Sequence, residues 1–162
     1  MTEPRADRPN LGAIVPAPAD GGMGLLPWSW ARERLERNRN YWLSTVNADG
    51  TPHAMPVWGA WLDDTLLFST STESRKARNF ARQPRCVATT EDATEAVIVD
   101  GRVEPFAEAE LTARFFAEYE RKYDWRMDES LGPFWRLAPR KAFGFIEAGA
   151  AFGQSATRWR FV

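Results

Sequence analysis

Residues 41–62 read Tyr41-Trp-Leu-Ser-Thr-Val-Asn-Ala-Asp-Gly-Thr-Pro-His-Ala-Met-Pro-Val-Trp-Gly-Ala-Trp-Leu62 and predict a β-hairpin. Two runs rich in β-branched and aromatic residues flank Ala48-Asp-Gly50, and Asp-Gly between such runs is a typical turn signal. A second turn at Asp63-Asp64 leads into Thr65 to Thr70, which is also apolar and β-prone. The sequence therefore predicts a three-stranded antiparallel meander.

Four more short strands are predicted downstream: Arg85 to Glu91, Glu95 to Glu104, Arg136 to Ala148, and Thr157 to Val162. Gly101 indicates a bulge or bend within its strand. Pro139 lacks an N–H group, so it is expected at a sheet edge or at a strand entry. Many short strands around one small helix are typical of a barrel.

Three helices are predicted between these strands. Ser29 is a candidate N-cap for a helix that runs to about Asn38. Glu73 to Gln83 has a short helical pattern that Pro84 stops. The longest helix is predicted from Glu108 to about Tyr123, because four apolar residues recur there at four-residue spacing: Leu111, Phe115, Tyr119 and Tyr123. We expect this row to pack on the barrel or on a second subunit.

The length and composition indicate one domain. A chain of 162 residues is long enough for a single core and too short for two ordinary domains. Residues 1–26 contain many Pro and Gly residues and few large apolar side chains, so they are predicted to be a flexible N-terminal tail. The domain proper is then expected at residues 27–162.

The charge pattern and the rare residue types exclude several classes of function. The 21 basic and 22 acidic residues nearly cancel, which argues against nucleic acid as a partner. We expect no membrane interaction and a cytoplasmic location, because the sequence contains neither a long apolar run nor a signal-peptide pattern. With a single cysteine, Cys86, and a single histidine, His53, the chain offers neither an intrachain disulfide nor a His-rich metal site, and we expect no metal.

The junction Phe68-Ser-Thr-Ser-Thr-Glu-Ser-Arg-Lys-Ala-Arg-Asn79 places hydroxyls and cations between a predicted strand and a predicted helix. Thr70 and Glu73 have capping-box spacing, and Thr72 is a second possible cap. A helix start offers free N–H groups and a partial positive charge, which suit a phosphate. The alternative is a solvated surface helix with an ordinary cap, and the window by itself leaves both interpretations open.

The order of these motifs resembles the pyridoxamine 5′-phosphate oxidase-like, FMN-binding split-barrel superfamily, and most closely its flavin/deazaflavin oxidoreductase branch. The resemblance spans roughly residues 28–162. It is carried by five segments: residues 41–50, 52–62, 68–70, 74–85 and 157–161. It implies a mainly β fold with helices, a six- to seven-stranded antiparallel split β-barrel, and a homodimer with the cofactor at the subunit interface.

The resemblance also implies a set of cofactor-binding residues. Phosphate and ribityl contacts are expected from the junction: Ser69, Thr70, Ser74, Arg75 and Lys76, with Arg78 as a weaker candidate. The strand segment Met55, Pro56, Val57 and Trp58 is expected to run beside the ring of the cofactor. Trp58, Trp61 and Trp159 are predicted at the pocket or the interface, Trp42 in the core, and His53 as a residue that lines the site.

The resemblance implies FMN or the deazaflavin coenzyme F420 as cofactor. We expect a flavin- or deazaflavin-dependent oxidoreductase that transfers a hydride between the cofactor and a small organic substrate. No catalytic side chain is assigned, because such a ring performs the redox chemistry itself. The alternatives are a non-catalytic flavin or F420 binding or storage protein, a split barrel that acts as an interaction module, and a pyridoxamine 5′-phosphate oxidase-type FMN oxidase.

Overall fold

The computed structural model describes residues 3–12, 24–147 and 151–162. Within these residues the strands are β1 (Arg5–Asp7), β2 (Asn40–Val46), β3 (Pro52–Leu62), β4 (Thr65–Ser69), β5 (Arg85–Thr89), β6 (Glu95–Phe106), β7 (Phe134–Ile146) and β8 (Thr157–Arg160). The helices are α1 (Trp28–Arg37), α2 (Arg75–Arg82), α3 (Ala109–Tyr123) and α4 (Ala151–Ser155), with a 3-10 turn at Glu129–Leu131. The short helix α4 was not predicted from the sequence.

The strands form one antiparallel sheet that closes on itself. Its order is β1-β8-β7-β4-β3-β2-β5-β6, and β6 also pairs with β7. This last pairing closes a barrel of six strands, β2 to β7, and leaves β8 and β1 as an extension beyond β7. The prediction of a mainly β, antiparallel six- to seven-stranded barrel is therefore confirmed.

Strand β7 changes partner halfway along its length, and Pro139 marks the change. Its first half pairs with β4 up to Leu137, and its second half pairs with β8 from Lys141. On the other side, the register with β6 shifts between Asp100 and Gly101, which confirms the predicted bulge. Pro139 lies inside this long strand and not at its entry, but neither β4 nor β8 pairs with it, so on that side it has the unpaired position predicted for a residue without an N–H group.

Two apolar cores hold the barrel together. The inner core fills the barrel and the space under α1, and its largest fully buried side chains include Trp28, Tyr41, Phe68 and Trp159. The outer core lies between α3 and the outside of the barrel: Ala60, Leu67, Phe106, Phe115, Tyr119, Tyr123, Met127 and Phe134. The aromatic row of α3 thus packs on the barrel, which is one of the two predicted arrangements.

The N-terminal segment contributes to the sheet. Residues Arg5–Asp7 pair with β8, and Asp7 binds Arg158 and Arg160. For these residues the prediction of a flexible tail was wrong, because strand pairing and ion pairs compensate for the small apolar content. Residues 1–2 and 13–23 of the predicted tail lie outside the described residues.

Helix α1 begins two residues earlier than predicted. Its N-cap is Pro27, which makes no side-chain cap, and Ser29 lies inside the helix. The cause is tertiary: Trp28 is almost fully buried and donates its indole N–H to Asp64 at 3.1 Å. Anchoring of this side chain decides where the helix starts, and the capping preference of Ser29 does not.

Two predictions for tryptophans were wrong. Trp159 is 0% exposed, so it is not available to a pocket or to a subunit interface, whereas Trp61, at 3% exposed, still lines a cavity between α1 and α3. Trp42, predicted in the core, is 46% exposed on the outer face of β2. The alternation of β2 explains the last error, since its neighbours Tyr41 and Leu43 point into the barrel and Trp42 points out.

No helix in the part of the chain that the structure describes is long and apolar enough to cross a membrane.

Candidate functional site

The sheet opens on one side of β3, and this opening is the candidate site. The whole of Pro52–Trp58 pairs with β2, but pairing with β4 covers only Gly59 to Leu62. Beyond Ser69 the chain leaves β4 and turns into α2. One edge of Pro52–Trp58 therefore has no strand partner among the described residues, and it lies on the side where the chain turns away from the sheet into residues 70–76. We call the space between these two segments the notch.

The edge of the notch carries backbone groups that a ligand can bind. An unpaired strand edge presents N–H and C=O groups at regular spacing. Pro56 lies in this half-paired segment and is exposed, which confirms its prediction at an edge. Met55 is 47% exposed and Trp58 is 44% exposed, whereas the Val57 side chain points into the inner core. Val57 can thus contribute only its backbone.

Helix α2 begins at the other wall of the notch, and its cap differs from the predicted one. The N-cap is Ser74, whose hydroxyl accepts a hydrogen bond from the Ala77 N–H at 3.2 Å. Thr70 donates its hydroxyl to Ser74 at 3.0 Å, so the predicted capping box of Thr70 with Glu73 was wrong, as was a cap at Thr72. The chain turns into the helix only after Glu73, which leaves Thr70 to hold the cap residue in place.

In the described part of the chain, the start of α2 has free hydrogen-bond donors and unpaired cations, which suit an anion. Within the described residues, the backbone N–H groups of Arg75 and Lys76 have no acceptor. The side chains of Arg75, Lys76 and Arg78 form no ion pair with any described carboxylate, although most other arginines of the chain do. Arg75 and Arg78 are three residues apart and share one face of the helix.

Lys76 is half-buried, and burial lowers the pKa of its ammonium group from the ordinary value. The charged form is thus less well solvated than on an open surface. A bound phosphate would supply the missing counter-charge and raise the pKa of Lys76 again. Free helix N–H groups and cations without partners therefore converge where the resemblance implies the phosphate, which favours an anion site over a plain solvated helix.

Ser69 points to the outside of the barrel and not toward the cap residue. Its hydroxyl donates to the Leu131 carbonyl oxygen at 2.6 Å and so ties β4 to the loop that follows α3. Trp159 has its contacts in the inner core. Its ring centroid lies 5.4 Å from that of Trp28, and its indole N–H donates to the Leu26 carbonyl oxygen. The prediction of Trp159 as a cofactor contact was wrong, because the ring is fully enclosed by the inner core.

Two tyrosines of α3 belong to the site and were predicted only as packing residues. The Trp58 ring stacks on Tyr123 with centroids 4.6 Å apart and planes 2° apart. Tyr119 lies 6.1 Å from Trp58. The Tyr123 hydroxyl accepts from the Gly59 N–H at 2.8 Å, so it also fixes the backbone beside Trp58. The four-residue spacing of Tyr119 and Tyr123 predicted that both lie on one face of α3. Only the fold shows that Trp58 contacts this face.

His53 and Asn79 occupy the barrel end near the notch. The His53 Nδ1 atom lies 3.3 Å from the Thr45 hydroxyl. Asn79 is buried and donates its amide to Thr45 at 2.9 Å and to Asn47 at 3.1 Å. This network ties α2 to the β2–β3 hairpin. Among the described residues no cluster of three or more His, Cys, Asp or Glu residues could hold a metal ion.

The residues present fit a flavin-type phosphate cofactor. Arg75, Lys76 and the free N–H groups of α2 suit the phosphate, and the unpaired edge of β3 suits the polar rim of a flat ring. The Trp58 ring is held in one orientation by Tyr123, so it forms a rigid apolar boundary at the end of the notch next to Gly59.

Comparison with known proteins agrees with this fold. The sequence pattern of the family described as pyridoxamine 5′-phosphate oxidase matches residues 30–145, which is more than half of the chain. No curated protein matches the sequence.

Several solved structures share the fold. A conserved hypothetical protein of Mycobacterium tuberculosis is 21% identical with a TM-score of 0.67, and the match covers 82% of this chain and 91% of that one. An F420 reductase is 25% identical with a TM-score of 0.56, covering 68% of this chain and 94% of that one. A heme-binding protein of Mycobacterium smegmatis is 19% identical with a TM-score of 0.62, covering 80% and 62%. On the evidence of its sequence and its barrel, the chain belongs to the pyridoxamine 5′-phosphate oxidase family.

Proposed function

We propose that the protein is an oxidoreductase that binds FMN or coenzyme F420 and transfers a hydride between this cofactor and a small organic molecule in the cytoplasm. The observation that carries the proposal is the notch. An unpaired strand edge lies on the side where the chain turns into a helix start with free N–H groups and three cations that have no carboxylate partner among the described residues. Free N–H groups and cations at one helix start together suit a phosphate.

Each wall of the notch has a separate task. Arg75 and Lys76 hold the phosphate, with Arg78 on the same helix face as Arg75. The backbone of residues 55–58 lies along the ring, and Trp58 limits its position. When bound, the ring system supplies the hydride chemistry, while the protein supplies orientation and electrostatics. No side chain is required as a nucleophile.

We favour F420 over FMN, because the F420 reductase that shares the fold reaches 25% identity. The negatively charged tail of F420 needs cations beyond those that hold its phosphate. Arg82 and Arg85 are already engaged with the Val46 carbonyl oxygen and with Asp100, so Arg78 is the better candidate.

We also propose a homodimer with the cofactor between subunits. The outer face of the β2–β3 hairpin exposes several large apolar side chains, among them Trp42 at 46% and Val46 at 44%, next to the notch. A second copy that covers this face would remove apolar surface from water and close the notch. A cofactor site at such an interface gains contacts from both subunits.

The test is a titration of the purified protein with FMN and with F420, followed by absorbance or by equilibrium dialysis. We expect the double variant Arg75→Ala/Lys76→Ala to lose at least about tenfold in affinity, since each lost charge-assisted hydrogen bond contributes roughly 1.5–3 kcal/mol and tenfold is about 1.4 kcal/mol. Arg102→Ala is the matched control, because Arg102 is an exposed arginine on β6. A loss of less than about threefold would show that Arg75 and Lys76 do not hold the cofactor.

A storage or carrier protein is the main alternative, since a heme-binding protein shares the fold. An oxidoreductase and a storage protein are distinguished by reducing the bound cofactor and then adding electron acceptors. Reoxidation by a small organic acceptor supports the oxidoreductase. A cofactor that stays reduced with every acceptor supports storage, and an absence of binding supports an interaction module.

A pyridoxamine 5′-phosphate oxidase-type FMN oxidase is the remaining alternative within this family. The C-terminal strands contain no residues that the sequence analysis could assign to the phosphate of such a substrate. Oxidation of pyridoxamine 5′-phosphate by the FMN-loaded protein would support this alternative.

A further inference from the structure

A second cavity adjoins the notch on the outside of the barrel. Its volume is about 510 Å³. Its described lining comprises Ser69, Ser71, Thr72, Tyr119, Trp125, Met127, Ser130, Leu131, Gly132 and Pro133. Ser71 and Thr72 belong to the connection that forms one wall of the notch, so the cavity and the notch share this segment.

The lining is aromatic, apolar and hydroxyl-bearing. No charged side chain is among the described residues that line the cavity. Trp125 and Leu131 are 56% and 40% exposed, so both offer apolar surface to a molecule in the cavity. An uncharged molecule therefore fits this cavity better than an ion, because an ion would lose water without gaining a counter-charge.

Tyr119 gives the cavity a directed polar group. The residue is only 8% exposed, but its hydroxyl stays accessible and makes no hydrogen bond within the described part of the chain. A tyrosine hydroxyl without a protein partner at the wall of a cavity is available to a ligand. Burial also raises the pKa of Tyr119, so the hydroxyl keeps its proton and remains a donor. The ligand that satisfies it needs a hydrogen-bond acceptor.

We propose that this cavity binds the substrate of the proposed oxidoreductase, and that the substrate is an uncharged, planar, conjugated carbonyl compound whose oxygen accepts a hydrogen bond from Tyr119. The inference rests on the proposed function, because it takes the notch beside the cavity as the cofactor site. The Tyr119 ring centroid lies 6.1 Å from that of Trp58, which borders the notch, so the cavity and the notch are neighbours. Trp125 supplies a flat apolar surface for a planar molecule.

The test uses three probes of similar size and the full chain without cofactor. The probes are 2-acetylnaphthalene, which is a neutral ketone, 2-naphthoate, which is an anion, and 2-ethylnaphthalene, which has no acceptor. Binding is measured by equilibrium dialysis. We expect the ketone to bind more tightly than either of the other two probes.

Two variants assign the contacts. Tyr119→Phe should weaken the ketone by about fivefold and leave 2-ethylnaphthalene unchanged, since one neutral hydrogen bond is lost. Trp125→Ala should weaken both probes, because it removes a shared apolar surface. Phe152→Ala is the matched control, since Phe152 is an aromatic residue of similar exposure, at 40%, that does not line the cavity.

Two outcomes would overturn the inference: equal affinity for the naphthoate and the ketone, or equal effects of Tyr119→Phe on the ketone and on 2-ethylnaphthalene. Because the dialysis contains no cofactor, its result is independent of the titration with FMN and F420. Cofactor binding without ketone binding leaves the proposed function intact and removes the substrate assignment.

Discussion

At the scale of single residues, Lys122 has an amine that the fold removes from water without a bound carboxylate. Its Nζ donates to the Gly59 carbonyl oxygen at 2.8 Å and to the Tyr41 hydroxyl at 3.3 Å. Burial lowers the pKa of Lys122 to about 8. An exposed lysine titrates near about 10.4, so between these two pH values the unfolded chain binds a proton that the folded chain does not.

This difference predicts a pH dependence of stability. Burial of the charged amine lowers the unfolding free energy, and this loss is fully present below pH 8. It disappears as the pH rises from about 8 toward the pKa of Lys122 in the unfolded chain. The unfolding free energy of the wild type should therefore rise relative to that of Lys122→Met from about pH 7 to about pH 10. Urea unfolding at several pH values measures this difference.

Arg121→Met is the matched control for Lys122→Met, because it removes a neighbouring cation that stays charged over this pH range. Its difference from the wild type should not rise in the same way. A difference between the wild type and Lys122→Met that is independent of pH would contradict the assigned burial of the amine.

At the scale of elements, the β6–β7 bulge depends on a glycine. A Cβ atom added at Gly101 would lie 2.8 Å from the Leu137 side chain and would also collide with the Ala138 carbonyl oxygen. The carbonyl belongs to the backbone of a central strand, so it cannot move aside as a flexible side chain would. The bulge also accommodates Pro139, so both strands depend on this close approach.

Gly101→Ala should therefore lower the unfolding free energy by about 1–3 kcal/mol, which is the usual cost of overpacking. Chemical denaturation with a fluorescence readout measures the change. Arg102→Ala, at the exposed neighbouring position, should stay within about 0.5 kcal/mol of the wild type. Equal stability of Gly101→Ala and wild type would show that β7 can shift away from β6.

At the scale of the whole molecule, the exposed hairpin face predicts the oligomeric state. Trp42→Glu places a charge on the proposed interface, where burial without a partner is costly. We expect the variant to be a monomer in sedimentation experiments at concentrations where the wild type is a dimer, and to lose cofactor affinity as well. Phe152→Glu, at an exposed aromatic outside this face, is the control.

A wild-type protein that sediments as a monomer would contradict the proposed dimer. A Trp42→Glu variant that stays dimeric would place the interface elsewhere. Loss of the dimer with unchanged cofactor affinity would show that each notch binds its cofactor without the second subunit.

The sequence by itself determined the barrel. Strand alternation, the Asp49-Gly50 turn and the Gly101 bulge are local signals, since backbone conformation and turn chemistry act over a few residues. The same local signals located the junction of β4 and α2 with its serines and cations. They could not identify the cap, because Ser74, Thr70 and Thr72 are all acceptable caps and the path of the chain selects one.

Only the tertiary structure decided which faces are covered. Trp42, Trp61 and Trp159 all lie in strands, and a tryptophan in a strand has the same local preference whether its face is covered or not. Trp61 and Trp159 are buried because α1 and Trp28 lie over them, whereas nothing described in the chain covers Trp42. The notch likewise arises because β3 extends beyond the end of its pairing with β4. The contact between Tyr119 and Trp58 forms only because α3 packs on the outside of the barrel. Burial and site geometry depend on contacts between residues distant in the sequence, and such contacts leave no local pattern.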